Sequence, residues 1–140
     1  MFMKMNNMIN NFSVVIPVFN EEEIFLESAD KIFNICQEMN MPFEIIFSEN
    51  GSLDNTKNLI QAFIEDKDNC YTINSNYANY GLALKNGFEI AKNDIVISFD
   101  IDYFSKKFLK QSLELDDNFV ALVASKRLNE SEDERTFIRK

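Results

Sequence analysis

Apolar residues occur along this chain in two patterns: short dense runs, and longer segments in which they recur every three or four positions. Val14-Val15-Ile16-Pro17-Val18-Phe19 is a run of the first kind, as are residues 43–48, 70–73, 95–99 and 119–124. Their β-branched and aromatic content, without alternation, predicts strands covered on both faces. Between the first two runs, Ile24, Ala29, Ile32, Phe33, Cys36 and Met39 repeat at helical spacing and predict a helix over 21–39. Its acids cluster at the start, where the helix dipole favours them. Gly51-Ser52-Leu53-Asp54-Asn55-Thr56 is turn and capping chemistry that leads into a second helix carrying Leu59, Ile60, Phe63 and Ile64. Two more helices are predicted over 82–91 and 104–115. Such alternation predicts an α/β fold with a mostly parallel, twisted sheet and helices on both faces.

Right-handed crossovers bring the carboxyl ends of parallel strands to one edge, where open α/β sheets bind ligands. The residues expected there are Asn20-Glu21-Glu22, Glu49-Asn50-Gly51, and Asp100 and Asp102 flanking Ile101. Loops are polar in any case, but that does not explain why acids rather than Lys or Ser recur. Two carboxylates at one strand end are costly unless a positive group lies between them. A hard divalent cation carrying a diphosphate would meet that need. The competing reading of Asp100 and Asp102 is a surface turn with two solvated acids, and an Asp-x-Asp alone does not decide between them.

Composition narrows the chemistry. The 140 residues make one domain, and 46% hydrophobic residues with 14 Phe supply a real core. A net charge of −9 without a basic stripe argues against a nucleic-acid surface. It leaves phosphate ligands open, because a metal can bring the positive charge. The absence of His removes Ser-His, Cys-His and His-ligated metal chemistry, leaving carboxylates, Lys, Arg and oxygen-ligated metals. Cys36 and Cys70 lack metal-ligand spacing and read as reduced core thiols. Neither glycine-rich phosphate motif occurs, so a nucleotide would be held by base and ribose contacts plus a metal. The Met- and Asn-rich opening has no apolar core of a signal peptide, and no stretch reaches ~18 apolar residues. A cytoplasmic protein is expected, with peripheral contact at the cytoplasmic membrane face compatible with the sequence.

Four motifs together carry a resemblance. Ser13-Val14-Val15-Ile16-Pro17-Val18-Phe19-Asn20-Glu21-Glu22-Glu23 resembles the opening strand of the family 2 glycosyltransferases, inverting nucleotide-sugar enzymes of the GT-A fold. The segment from Glu44 through Glu49-Asn50-Gly51-Ser52-Leu53-Asp54-Asn55-Thr56 is similar to that family's E-I-I-V-V-D-D-G-S-T-D-x-T motif. Gly81-Leu82-Ala83-Leu84-Lys85-Asn86-Gly87 resembles its G-x-A-L-x-x-G helix, and Asp100-Ile101-Asp102 falls at its D-x-D. The resemblance covers residues 12–127. The P-x-x-N-E-E-E opening and Ser125-Lys126-Arg127 look most like the subgroup that glycosylates polyprenyl (dolichyl) phosphate.

The resemblance implies roles residue by residue. Pro17 and Phe19 match positions lining the nucleotide base, and Glu21 a nucleotide-contacting acid. Glu49 matches the acid that accepts the imide-like NH of uracil or guanine. Asp100 matches the ribose-side or metal-bridging acid, and Asp102 the direct ligand of Mg²⁺ or Mn²⁺. Lys126 or Arg127 matches a basic phosphate grip, for which Arg suits bidentate contacts better. Each has a plainer reading: Pro17 as a strand-edge proline, Glu21 as a helix-dipole acid, Arg127 as a solvated surface residue. No catalytic residue is assigned.

The expected domain plan is a flexible lead over 1–11, a nucleotide-sugar-binding domain over 12–127 and a charged tail over 128–140. The implied function is transfer of a sugar from a UDP- or GDP-sugar, with a divalent metal and with inversion, to a polyprenyl phosphate. Several departures complicate this. Asp-Asp has become Glu49-Asn50, Tyr77-Ala78-Asn79-Tyr80-Gly81 keeps only the last glycine of N-x-G-x-G, and Phe104 replaces a Gln that coordinates metal in some relatives. The family continues well beyond this length into an acceptor half. The chain therefore reads as the N-terminal half of a transferase, as one that dimerises to complete its site, or as a catalytically silent nucleotide-sugar-binding module. A haloacid-dehalogenase-type phosphotransferase also uses Asp-x-Asp, but after the first strand, whereas here the pair follows the fourth.

Overall fold

A computed structural model describes residues 11–114. Four strands and four helices alternate along the chain: β1 (Phe12–Val18), α1 (Phe25–Gln37), β2 (Phe43–Glu49), α2 (Thr56–Ile64), β3 (Cys70–Asn74), α3 (Tyr80–Ile90), β4 (Ile95–Ser98) and α4 (Lys106–Leu113). All pairings are parallel, in the order β3-β2-β1-β4, with Val18 opposite Glu49 and Val15 opposite Ser98. The chain order reverses beside β1, so the crevice between the ends of β1 and β4 is a topological switch point.

The two central strands are almost wholly buried, as their unbroken apolar runs require. One face packs against α1 and α2: Phe12, Val14, Ile16 and Phe47 meet Phe25, Ile32, Ile60 and Phe63 in a single core. Phe25, Phe47 and Phe63 form an edge-to-face trio. The other face is covered by α3, which approaches closely because its inner residues are small. Ala83 is fully buried, and a Cβ on Gly87 would collide with the Val15 Cγ1. Ser48 Oγ donates to the Ala83 carbonyl at 2.6 Å and ties α3 to β2.

Two helix starts differ from the sequence expectation, and both differences bear on the site. The first helix begins at Phe25 rather than at residue 21, because the Glu21 and Glu22 N–H groups donate to Thr56 Oγ1 and Asp54 Oδ2 across the loop. The third begins at Tyr80 rather than at residue 82, because the Asn79 side chain caps it by accepting the Leu82 N–H at 3.0 Å. At the far end of α1, Asn40 adopts a left-handed conformation (φ 54°) and stops the helix before residue 39. The fifth strand expected over 119–124, Lys126, Arg127 and the tail lie outside the described residues.

Candidate functional site

The loops that follow β1 and β2 are laced together by reciprocal hydrogen bonds. Asn20 N–H donates to Ser52 Oγ at 3.0 Å, and Leu53 N–H returns one to Asn20 Oδ1 at 2.8 Å. Asn55 N–H donates to Glu22 Oε2 at 2.9 Å. Asn20 achieves this in a left-handed conformation (φ 51°), which Asn tolerates better than most residues. The Asn-Glu-Glu and Ser-x-Asp-x-Thr motifs therefore build a rigid loop pair as well as supplying acids. Gly51 (φ +73°) is the hinge of the second loop; a Cβ there would lie 2.6 Å from the Tyr77 backbone. Burial would raise the Asp54 carboxyl, but hydrogen bonds from Thr56 and from the Glu22 N–H outweigh it and hold the group below the usual range.

Beside this loop pair, a cleft of about 210 Å³ opens at the carboxyl edge, between the ends of β1 and β4. Pro17 in β1, Phe19 and Glu21 after it, and Asp100 and Asp102 after β4 line it, together with Asn50 and Tyr80. Phe19 is 40% exposed, so an aromatic face is open to a ligand. Ile101 is buried between the two aspartates, and Tyr103 N–H donates to the Asp100 carbonyl at 3.1 Å, closing a tight turn. The core therefore fixes the backbone from which both carboxylates project.

The cleft's field is negative. Among the described residues no Lys or Arg lines it, and the Glu21 carboxyl is raised by burial and then by Asp102, Asp54 and Asp100. The Tyr80 hydroxyl donates to Asp100 Oδ1 at 2.9 Å. Its pKa is pushed up to about 12 by burial, by that hydrogen bond and by the charges of Asp100 and Asp102. Tyr80 is therefore a neutral donor at physiological pH.

Five of the expected residues (Pro17, Phe19, Glu21, Asp100 and Asp102) share this cleft, although they come from distant parts of the chain. Glu49 is not among the lining residues. It is 1% exposed, its Oε1 accepts the Ser52 N–H at 2.5 Å, and its Oε2 has no hydrogen-bond partner among the described residues. Arg127 lies outside the described residues. Periodicity gave no sign of two other lining residues. Asn50 accepts the Asn79 N–H through Oδ1 at 2.6 Å, and Tyr80 stands where a glycine-rich loop was expected. Asn50 was expected at this edge but given no role of its own, and Tyr80, at a variable position of the N-x-G-x-G pattern, gave no sequence signal.

Among the described residues, no group of three or more His, Cys, Asp or Glu forms a metal cage. The donor set is nonetheless chemically suited to Mg²⁺ or Mn²⁺. Such ions are commonly held by one or two carboxylates, with water and substrate phosphate as the remaining ligands. Glu21 is raised first by burial and then by the neighbouring acids, and a cation would relieve the second of these. No helix among the described residues is long and apolar enough to cross a membrane.

The fold is that of a GT-A-like domain. A TarS crystal structure from S. aureus superposes with a TM-score of 0.57 at 23% identity, over 73% of this chain and 18% of that one. The chain belongs to the family described as glycosyl transferase family 2, whose model matches residues 13–140. It is similar to undecaprenyl-phosphate 4-deoxy-4-formamido-L-arabinose transferases. With that of Proteus mirabilis it shares 34% identity over 97 residues, 67% of this chain and 29% of the relative. With that of Pseudomonas fluorescens the identity is 36% over 93 residues, 64% and 27% respectively. The chain thus spans less than a third of the length of these curated relatives.

Proposed function

We propose that the cleft binds the nucleotide diphosphate of a UDP- or GDP-sugar together with Mg²⁺ or Mn²⁺, as the donor half of a glycosyltransferase. The convergence of Glu21, Asp100 and Asp102 on one cleft beside Phe19, with no Lys or Arg in its lining among the described residues, carries this reading. Phe19 and Pro17 offer the base an aromatic and a rigid apolar wall. Asp100 and Asp102 hold the metal, which when bound neutralises the charge on the leaving diphosphate. The cleft is smaller than the ~300–1,000 Å³ of pockets that enclose a whole ligand. Such a volume suits the nucleotide part of a donor and leaves the acceptor to other surfaces.

Transfer with inversion to a polyprenyl phosphate is the reaction proposed for the protein in which this domain works. The likeness to undecaprenyl-phosphate sugar transferases supports the acceptor class, and the shared family supports glycosyl transfer. A phosphate acceptor is already anionic and needs no strong base to attack the anomeric carbon. This fits a cleft whose side chains are otherwise committed to the donor. The second reading is a silent nucleotide-sugar-binding module, favoured by the inward-turned Glu49 and by the neutral Asn50 in the place of an acid.

Calorimetry with UDP and GDP, with and without Mn²⁺, tests the site. Binding is expected only with the metal and is expected to disappear in Asp102→Ala, whose side chain is exposed and contributes little to the core. Equal binding by mutant and wild type would remove the metal site. Turnover with polyprenyl phosphate then separates a transferase from a silent module.

A further inference from the structure

We infer that Tyr80 is a positioning residue for Asp100, setting the orientation of its carboxylate toward the cation and hence the affinity for that cation. The inference rests on the proposed reading of Asp100 and Asp102 as the metal-side pair. Asp100 is held in two independent ways. Its backbone is fixed by the core, through buried Phe99 and Ile101 on either side and the Tyr103 N–H on its carbonyl. Its side chain has rotational freedom that the core does not remove, and the 2.9 Å hydrogen bond from the Tyr80 hydroxyl to Oδ1 restricts it.

Tyr80 is itself rigidly mounted. It is the first residue of α3, directly after the Asn79 cap. Asn79 N–H donates to Asn50 Oδ1 at 2.6 Å, and Asn50 N–H donates to the Val18 carbonyl at 2.8 Å. A continuous set of short contacts therefore runs from the end of β1, through the Asn50 side chain and the α3 cap, to Asp100. This gives Asn50 a purpose its neutral side chain would not suggest: an amide oxygen accepts from the Asn79 N–H without adding charge to an acidic cleft. The fold has little need of the Tyr80 ring, which is 53% exposed. Residues that orient metal ligands from behind typically change metal affinity 10–100-fold when altered.

The test uses the full chain and Mn²⁺ as the probe, with free Mn²⁺ followed by electron paramagnetic resonance in the presence of UDP or GDP. Tyr80→Phe removes only the hydroxyl. It is expected to weaken Mn²⁺ binding about tenfold, to leave the metal-free unfolding midpoint unchanged, and to add nothing in an Asp100→Ala background. Wild-type Mn²⁺ affinity in Tyr80→Phe, alongside lost affinity in Asp100→Ala, would overturn the role of Tyr80 and leave the metal site standing. A Tyr80→Phe effect that persists at full size in the Asp100→Ala background would show that Tyr80 does not act through Asp100. A wild-type chain that takes up no Mn²⁺ with either nucleotide would remove both the positioning role and the metal site.

Discussion

β2 carries one buried glutamate near each end, and the two are treated in opposite ways. Glu44, at the amino edge, is 5% exposed and its Oε1 accepts from Ser13 Oγ and from the Lys92 N–H, both at 2.6 Å. Asn93 completes that edge by donating to Ser13 Oγ and to the Phe12 carbonyl. Glu49, at the carboxyl edge, is more deeply buried, yet one of its oxygens has no partner among the described residues. The same residue type thus closes the sheet at one end and leaves unused acceptor capacity at the other. A buried polar atom without a partner is costly, and proteins keep such atoms chiefly where function requires them. The amino edge satisfies its buried carboxylate fully, whereas the carboxyl edge, where binding is proposed, does not.

The largest test of this contrast is Glu44→Ala. It strands the fully buried Ser13 hydroxyl and leaves the partly buried Lys92 N–H without its partner, and should cost about 3 kcal/mol in urea unfolding. Nucleotide binding by the remaining folded protein should not change. A loss below about 0.5 kcal/mol would mean that the amino-edge network is decorative. Glu49→Gln is expected to behave differently. The amide oxygen still accepts from Ser52, and a buried charge disappears, so unfolding should move by less than about 1 kcal/mol. Equal destabilisation by the two substitutions would erase the distinction between the edges.

The smallest effect concerns pH. Glu21 is raised, by burial first and then by Asp102, Asp54 and Asp100, so the native state releases its proton at higher pH than the unfolded chain does. Between those two values the native state binds more protons, and stability contributed by this group falls as pH rises. Thermal midpoints measured from about pH 4 to about pH 7 should therefore fall less steeply in Glu21→Gln than in wild type. Mn²⁺ with nucleotide should flatten the wild-type profile as well. A Glu21→Gln profile parallel to wild type would show that Glu21 is not raised in the folded state.

Much of the fold was legible because strand burial and helix periodicity are local properties. The dense runs around Val15 and Ile46 read as buried strands, and the spacing of Ala29, Ile32 and Cys36 gave the inner face of α1. The candidate acids after each strand were legible for the same reason, since a parallel sheet delivers its carboxyl ends to one edge. The start of α1 was misplaced because its acids look like a first helical turn. Their N–H groups instead bond to Asp54 and Thr56, more than thirty residues further along the chain. Tyr80 could not be chosen from the sequence, because its partner lies 20 residues away and nothing in the pattern links them.

By itself, then, the sequence determined which of the described segments form strands and helices, that the sheet is parallel, and that Glu21, Asp100 and Asp102 come to one edge, because hydrophobic periodicity and crossover handedness act without knowledge of the final packing. Only the tertiary structure decided the strand order β3-β2-β1-β4, which puts β4 beside β1 and makes the cleft. It also decided that Glu49 turns inward onto Ser52 while Tyr80 reaches Asp100. Those outcomes depend on side-chain directions and hydrogen bonds between segments far apart in the chain, which exist only once the sheet has assembled.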